Sequence, residues 1–510
     1  MTTATMNEPT GWSASPRVQA NPHHPNRTSR MRHAMNRLVL VLAVVALAGC
    51  DFLDPTEITN PTVTEDDFIN LPNAAQTWAN GVERQLAATV NTLVTHAEVG
   101  SDNMFNNRTL INRTFDIPQM EPTDANVVAM QRQVHQLREM ANNGLDVVIP
   151  ADEDATDEIR ARMYFYRGFA NLASGEYFVA LPAEPRGQPQ PPSVHLTNAV
   201  NDLQQAISLS SDATLQHSAR LLTARAHYRL GNRAEAVSAA EQVRNSAPTL
   251  LRQVEYDQAD GPTNTLQFAL YDSGQDEFQP LPRLDFLFPK YWSAGATDQA
   301  PINLVKGEEA FLIIAEAQVA QGSLAAARLT LIDLLDVVAQ RPTAMVSDNA
   351  QQRGRAGGTW IYPNRSEVLV AASPDDEPRA GLVLDRQDGP VEIPYISGTS
   401  VSEGMILGAA TEDELLEVLY LLRQEIFVGE GRRMVDLGIR VGIALEEAES
   451  NENIDVGSEL LQPRIPSWIP GDYGMNSFTY SDGDPVAVID RNLTRDIVQN
   501  RSSDFVLPFH

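Results

Sequence analysis

Two stretches of this chain, 220–248 and 309–342, follow one plan, and that plan constrains the fold more than any other feature. Each opens with a run rich in alanine and aliphatic residues that breaks at a glycine, Gly231 or Gly322. Each resumes with small residues, Ala234 and Ala236 or Ala325 and Ala326, and stops at a proline, Pro248 or Pro342. Small residues let two helices approach closely, glycine supplies the turn, and proline ends the second helix. The plan is a helix pair of tetratricopeptide type, and Gly175 closes a similar first helix. The pairs are not tandem. Gly175 and Gly231 are 56 residues apart and Gly231 and Gly322 are 91, against about 34 in a regular array. The expected fold is therefore predominantly all-α: an α-α superhelix of degenerate pairs, interrupted by insertions that form an irregular, loop-rich lobe.

Hydrophobic spacing fills in the rest. Ala74, Trp78, Val82 and Leu86 fall four apart, which predicts a helix from about 65 to 99. Further helices are expected at 124–145, 158–173, 196–209, 213–230, 233–245, 307–321, 323–340, 411–428 and 430–447. Residues 179–195 hold five prolines and are expected to be non-helical. The helix pairs thus occupy about 158–248 and 307–342, the loop-rich inserts 249–306 and 343–410, and a helix junction 411–447. The last sixty residues carry few helix signals. The acidic run Asp152-Glu153-Asp154 with Asp157-Glu158 reads as the start of a helix, where carboxylates favour the dipole, rather than as a paired-carboxylate site.

The only cysteine, Cys50, ends an apolar run of about 11 residues preceded by Arg37, too short to span a bilayer, which takes about 20. Leu47-Ala48-Gly49-Cys50 has the layout of a bacterial lipoprotein signal. Residues 1–49 are then a removed leader, with Met31 or Met35 an alternative start. Cys50 is the lipidation site, and the Pro- and Thr-rich 51–64 is a flexible tether. The remaining domain is 65–510. With Cys50 acylated, no thiol is left for disulfides, so stability rests on the core. Asp51 would favour inner-membrane retention under some sorting rules.

The chain has 38 basic and 67 acidic residues. Removing the leader, with five arginines and Glu8, leaves 33 against 66. Such a surface repels nucleic acid. Only Lys290 and Lys306 are lysine, which reads as compositional bias. No His-Glu-x-x-His, Gly-x-Ser-x-Gly or Walker loop is present, and no metal site or cofactor motif. The near miss at Gly398-Thr399-Ser400-Val401-Ser402 lacks its final glycine. Asp482-Gly483-Asp484 suits a turn. No enzyme activity is expected, although 66 acids leave a carboxylate pair for glycoside hydrolysis open.

Several segments together resemble the SusD/RagB family of outer-membrane nutrient-uptake lipoproteins. They are Cys50-Asp51-Phe52-Leu53-Asp54, Ala161 to Tyr166 through Gly175-Glu176-Tyr177-Phe178, Pro289-Lys290-Tyr291 with Gly307 to Ala310, and Ile314-Ala315-Glu316-Ala317. The most specific is Glu430-Gly431-Arg432-Arg433-Met434-Val435-Asp436-Leu437, which follows Arg423 to Phe427 and meets the family's acidic-Gly-x-Arg-x-x-Asp-Leu pattern in full. Here Gly431 permits a tight junction, and Arg433 and Asp436, one turn apart, are placed to pair. That role is architectural.

The resemblance implies a helical scaffold with a lobe over it, carried on the outer face of the outer membrane. It implies a SusC-like, TonB-dependent β-barrel transporter as partner, and capture of a glycan or another oligomeric nutrient such as a peptide. Sugars need aromatic faces with amide and charged hydrogen-bonders. The loop candidates are Asn103, Phe105, Asn106 and Arg108, then Tyr291 and Trp292, then Trp360 and Tyr362. Phe165, Tyr166 and Phe169 lie on a helix and are expected in the core. Two other readings are a tetratricopeptide scaffold lipoprotein of envelope assembly and a secreted hydrolase.

Overall fold

Helix α1 (Ala74–Val99) buries Val82, Leu86, Val90, Leu93 and Ala97 along one face, the stripe expected of an amphipathic helix. It packs on α2 (Ala125–Asn143), and α2 packs on α3 (Asp157–Tyr177). The succession continues through α4 (Pro192–Leu209), α5 (Ala213–Arg229) and α6 (Arg233–Ser246). It then passes to α7 (Glu308–Ala320) and α8 (Leu324–Ala339), each helix against its predecessor. The computed structural model describes residues 68–510 apart from 70, 107–109, 273–276, 292–298, 347–360, 386–388, 473, 504–505 and 507. The leader, Cys50 and the tether lie outside the described residues. Among the described residues, no helix is long and apolar enough to cross a membrane.

The helix stack crosses the first insertion without a gap, because the insertion leaves and returns at one point. Strand Leu251–Val254 pairs antiparallel with Ile302–Lys306, Leu251 opposite Lys306. The Gly307 amide donates to the Leu250 carbonyl at 3.0 Å. A Cβ on Gly307 would sit 2.1 Å from the Pro248 carbonyl oxygen, so only glycine lets the chain re-enter there. The second insertion is necked in the same way, by Thr343–Val346 against Val391–Pro394. Both insertions are thus tied at the base while α6, α7 and α8 stay in contact.

Three sequence expectations are corrected. Gly175 does not end a helix: α3 runs to Tyr177, and Gly175 lies inside it. Its missing side chain makes room for α4, since a Cβ there would meet Leu196 Cγ at 2.6 Å, and one on Gly168 would meet Leu203 Cγ at 2.9 Å. Helix α4 starts at Pro192, inside the proline-rich stretch, because proline is well suited to the first helical turn. The junction 430–447 is not one helix. It is a short helix, Arg432–Asp436, stopped by Gly438 at φ 76°, followed by extended chain whose Val441 bridges Phe178 and then by Leu445–Ser450. The C-terminal segment carries a helix, Leu493–Gln499, and a strand, Val486–Ile489.

The acidic run divides between two helices. Asp157 and Glu158 occupy the first turn of α3, which Thr156 caps. Asp152 instead accepts from the Ala75 amide at 2.9 Å, at the start of α1.

The lobe has its own small core. Phe105, Leu281, Tyr362, Val370, Leu382, Phe478 and Ile489 pack together, apart from the main core of the helices. A three-stranded sheet supports it, with Val486–Ile489 central, antiparallel to Phe478–Thr479 and parallel to Leu369–Ala371. Met104–Asn106 joins it from the end of α1 by pairing with Phe278–Pro280.

Candidate functional site

A cleft of about 430 Å³ separates the lobe from the helices, a volume in the range that holds small ligands. One wall is the lobe core, through Val370 and Leu382, with Arg283 and Arg379 beside them. The other is helix α9 (Glu403–Gly408) and helix α10 (Glu412–Ile426). On α10 the lining residues are Glu414, Glu417, Val418, Leu421 and Glu425. Their spacing of three and four places them on one face. The opposite face, with Leu415, Leu416, Leu419 and Leu422, is buried in the scaffold. The helix is fixed at its start by a capping box, Thr411 with Glu414.

Charges around the cleft are mostly engaged. Glu425 accepts from the Thr399 hydroxyl at 2.6 Å, the Ser400 amide at 2.7 Å and the Ser400 hydroxyl at 2.5 Å. Burial pushes its carboxyl above the usual range, and those hydrogen bonds pull against it. Ser400, from the near-miss serine motif, is therefore a carboxylate's partner. Arg379 donates to the Ser400 carbonyl at 2.8 Å. Glu417 faces Arg495 at 3.5 Å. Arg283 pairs with Asp102, and its Nε is buried with no hydrogen-bond partner among the described residues. The cleft thus offers an apolar floor with carboxylates and guanidinium groups at its edges. It can bind and orient a ligand.

The sequence candidates fall in three groups. Asn103, Phe105, Tyr291 and Tyr362 are buried, which corrects their reading as ligand contacts. Asn103 donates to Glu98 at 2.9 Å and accepts from Gln424 at 2.9 Å, so its amide holds α1 to α10. Phe105 and Tyr362 meet Phe478 in the lobe core, with centroids 6.0 and 5.9 Å from it. Tyr291 donates to the Gly429 carbonyl at 2.6 Å. Asn106 is half-buried, its amide donating to Asp116 at 3.2 Å. Arg108, Trp292 and Trp360 lie outside the described residues. Phe165, Tyr166 and Phe169 are buried, as their helical placement predicts.

The Glu430–Asp436 motif holds the interior together, but not by the expected pairing. Arg433 does not bond to Asp436. It reaches Asp102 instead, at 2.5 Å through Nε and 3.0 Å through Nη2, and Arg283 grips the same carboxylate. These two guanidinium groups hold the Asp102 carboxyl below its usual range despite the opposing effect of burial. Asp436 is taken by Arg423 at 2.7 Å and Arg229 at 2.7 Å. Gly431, at φ 74°, donates to Glu98 at 2.7 Å and accepts from the Tyr177 hydroxyl at 2.9 Å. A Cβ there would lie 2.9 Å from that hydroxyl. One turn of helix offers Arg433 a neighbour in Asp436, but Arg423 and Arg229 already neutralise that carboxylate, whereas buried Asp102 is otherwise met by Arg283 alone.

No family model and no curated protein matches the chain. Solved structures do. A SusD-like carbohydrate binding protein from Bacteroides vulgatus superposes with a TM-score of 0.47 at 15% identity, over 71% of this chain and 82% of its own. A SusD superfamily protein from Bacteroides fragilis gives 0.49 at 16%, over 76% and 100%. Another from Bacteroides vulgatus gives 0.49 at 12%, over 71% and 87%. The chain is similar to SusD-like proteins.

The sequence reading missed Arg283, Arg379 and the α10 face. The face carries a visible signal, a string of residues at helical spacing that alternates acids with Val418 and Leu421. Arg283 carries none, because its partner Asp102 is 181 residues away.

Proposed function

We propose that this chain is a lipid-anchored, non-catalytic capture protein of the SusD/RagB kind. It holds a glycan or another oligomeric nutrient at the outer face of the outer membrane and passes it to a SusC-like, TonB-dependent β-barrel. The observation that carries the reading is the pair of tied insertions. With the segment after α1 and the C-terminal strands they build a lobe with its own core over an unbroken helix stack, and they leave a ligand-sized cleft between the two. The lipoprotein signal at Cys50 and the full Glu430–Leu437 motif support it from the sequence.

In this reading the reactive chemistry is nil and the work is conformational. A ligand changes the disposition of lobe and scaffold only by binding one disposition better than another. The chain therefore needs a cleft that closes on cargo, a surface for the barrel and an anchor that keeps both near the membrane. The test is to purify the tagged protein from membranes in mild detergent. A large β-barrel transporter is expected to come with it. Recovery without any barrel, under conditions that keep known pairs intact, would sink the reading. Recovery of envelope-assembly machinery instead would favour an assembly scaffold.

A further inference from the structure

Helices α2, α3 and α4 each turn polar residues toward one place. On α2 these are Arg138 and Asn142, on α3 Arg167 and Asn171, and on α4 Asn198 and Asp202 with Asn201 beside them. Residues four apart share a helix face, and helices packed side by side ordinarily meet on apolar faces. Here they line a cleft of about 340 Å³, in which Ala183 is the only apolar residue among the described lining.

Part of this lining is a closed structural seam. Arg167 holds Asp202 through Nε at 3.1 Å and Nη2 at 2.6 Å, and gives Nη1 to Asn142 Oδ1 at 3.1 Å. Asn171 donates to Asp202 at 3.0 Å. The rest is unused. The side chains of Asn198 and Asn201 make no hydrogen bond to another described residue. Arg138, 2% exposed, gives Nε to Glu139 at 3.2 Å, while its buried Nη1 has no acceptor. Asn198 is half-buried and Asn201 exposed, so both amides face the open cleft, while the unpaired buried Nη1 of Arg138 is a cost that packing alone would not leave.

The free groups are balanced. Amide nitrogens and Arg138 donate, while amide oxygens and Glu184 accept. A hydroxyl does both at once. The charges sum to one negative, with two guanidinium groups against three carboxylates. Asp202 neutralises Arg167, Glu139 neutralises Arg138, and exposed Glu184 stands at the rim, so no positive excess invites an anion. We propose that this cleft is a second binding site, for a small neutral polyhydroxylated molecule of one or two sugar rings. It stands apart from the lobe cleft and does not depend on the function proposed above. With no aromatic face in its described lining, it binds through hydrogen bonds alone.

The test titrates the full chain, in a detergent without a sugar headgroup, with glucose, galactose, maltose, glucuronate and inorganic phosphate, read by saturation-transfer NMR and calorimetry. At least one neutral sugar is expected to saturate at about millimolar concentration. The double variant Asn198→Ala, Asn201→Ala is expected to bind it about tenfold more weakly or worse, with an unchanged unfolding midpoint. The proposal is overturned if no neutral sugar saturates, if binding survives in the double variant, or if only glucuronate or phosphate binds.

Discussion

Lys290 and Lys306 converge on one carboxylate. Their Nζ atoms lie 2.5 and 2.8 Å from Glu430 Oε1, and they are the only lysines in the chain. Lys306 is wholly buried, and it also donates to the Ile426 carbonyl at 2.6 Å and to Ser397 at 2.8 Å. Lys306 closes the first insertion, in its neck strand, and Lys290 lies sixteen residues earlier, inside it. Glu430 therefore ties the returning limb of that insertion to the junction after α10.

Removing that tie exposes the cost of the buried charges. Glu430→Gln leaves two ammonium groups close together without a counter-charge, and breaking a buried pair from one side costs about 3–5 kcal/mol. Denaturant unfolding measures it. A loss below about 1 kcal/mol would be an ordinary surface effect and would refute the shared pairing.

A double-mutant cycle separates the two possible partners of Arg433. The coupling between Arg433→Met and Asp102→Asn is expected at about 2–3 kcal/mol, while Arg433→Met with Asp436→Asn couples far less. Sequence spacing alone predicts the reverse order, so the cycle tests the observed network directly.

That reversal marks where sequence reading stops. The helix pairs were legible because Gly231, Gly322, Pro248 and Pro342 act locally, within a turn or two of where they stand. Partner choice is not local: Arg433 and Asp102 are 331 residues apart, and no periodicity encodes that. Phe105 and Tyr362 looked like loop aromatics because the lobe core is gathered from four distant segments, so neither stretch shows an apolar face of its own. Gly175 misled for a different reason. A glycine that ends a helix and a glycine that admits a neighbouring helix read alike until Leu196 is seen against it. The rarity of lysine was visible but read as compositional bias, and although Lys290 and Glu430 each stood in a motif, nothing local joined them to each other or to Lys306.

Gly175 can be tested against a control in another helix. Glycine to alanine inside a helix gains about 1 kcal/mol in propensity. At Gly81 a Cβ meets nothing within 4 Å, so Gly81→Ala is expected to stabilise by up to about 1 kcal/mol. At Gly175 the new Cβ strikes Leu196, and overpacking of about 1–3 kcal/mol outweighs the gain. Thermal unfolding should move the two midpoints in opposite directions.

Filling the lobe cleft tests where cargo sits. Leu421 lines it from α10 and is only partly buried, so Leu421→Trp can occupy the space while leaving the scaffold face of α10 intact. Binding of an oligosaccharide or peptide found by screening should weaken about tenfold or more, near 1.4 kcal/mol, with the unfolding midpoint unchanged. Unaltered binding would place capture elsewhere.

Glu316 gives the stability a distinctive pH dependence. Its carboxylate lies in the core, where Tyr228 donates to Oε2 at 2.7 Å and Tyr420 at 3.1 Å, while Oε1 has no partner among the described residues. Burial raises its pKa from 4.5 to about 7, and the tyrosine hydrogen bonds and Arg423 offset only part of that rise. Between those values the folded chain keeps the proton and the unfolded chain has lost it. Stability from this group is therefore complete below about 4.5 and is lost as pH rises through 7. Half-buried His96 and buried His195, each lowered to about 4, and His135, lowered to about 3, act in the opposite sense, favouring the fold as pH rises toward 6.5. The whole-protein profile mixes both effects, but the histidines cancel in a difference. Glu316→Gln keeps the shape and a neutral side chain at every pH. Relative to that variant, the unaltered chain should lose about 3 kcal/mol between pH 4.5 and pH 7. Parallel denaturation curves across that range measure it, and a flat difference would mean that Glu316 ionises in the folded core as it does in water.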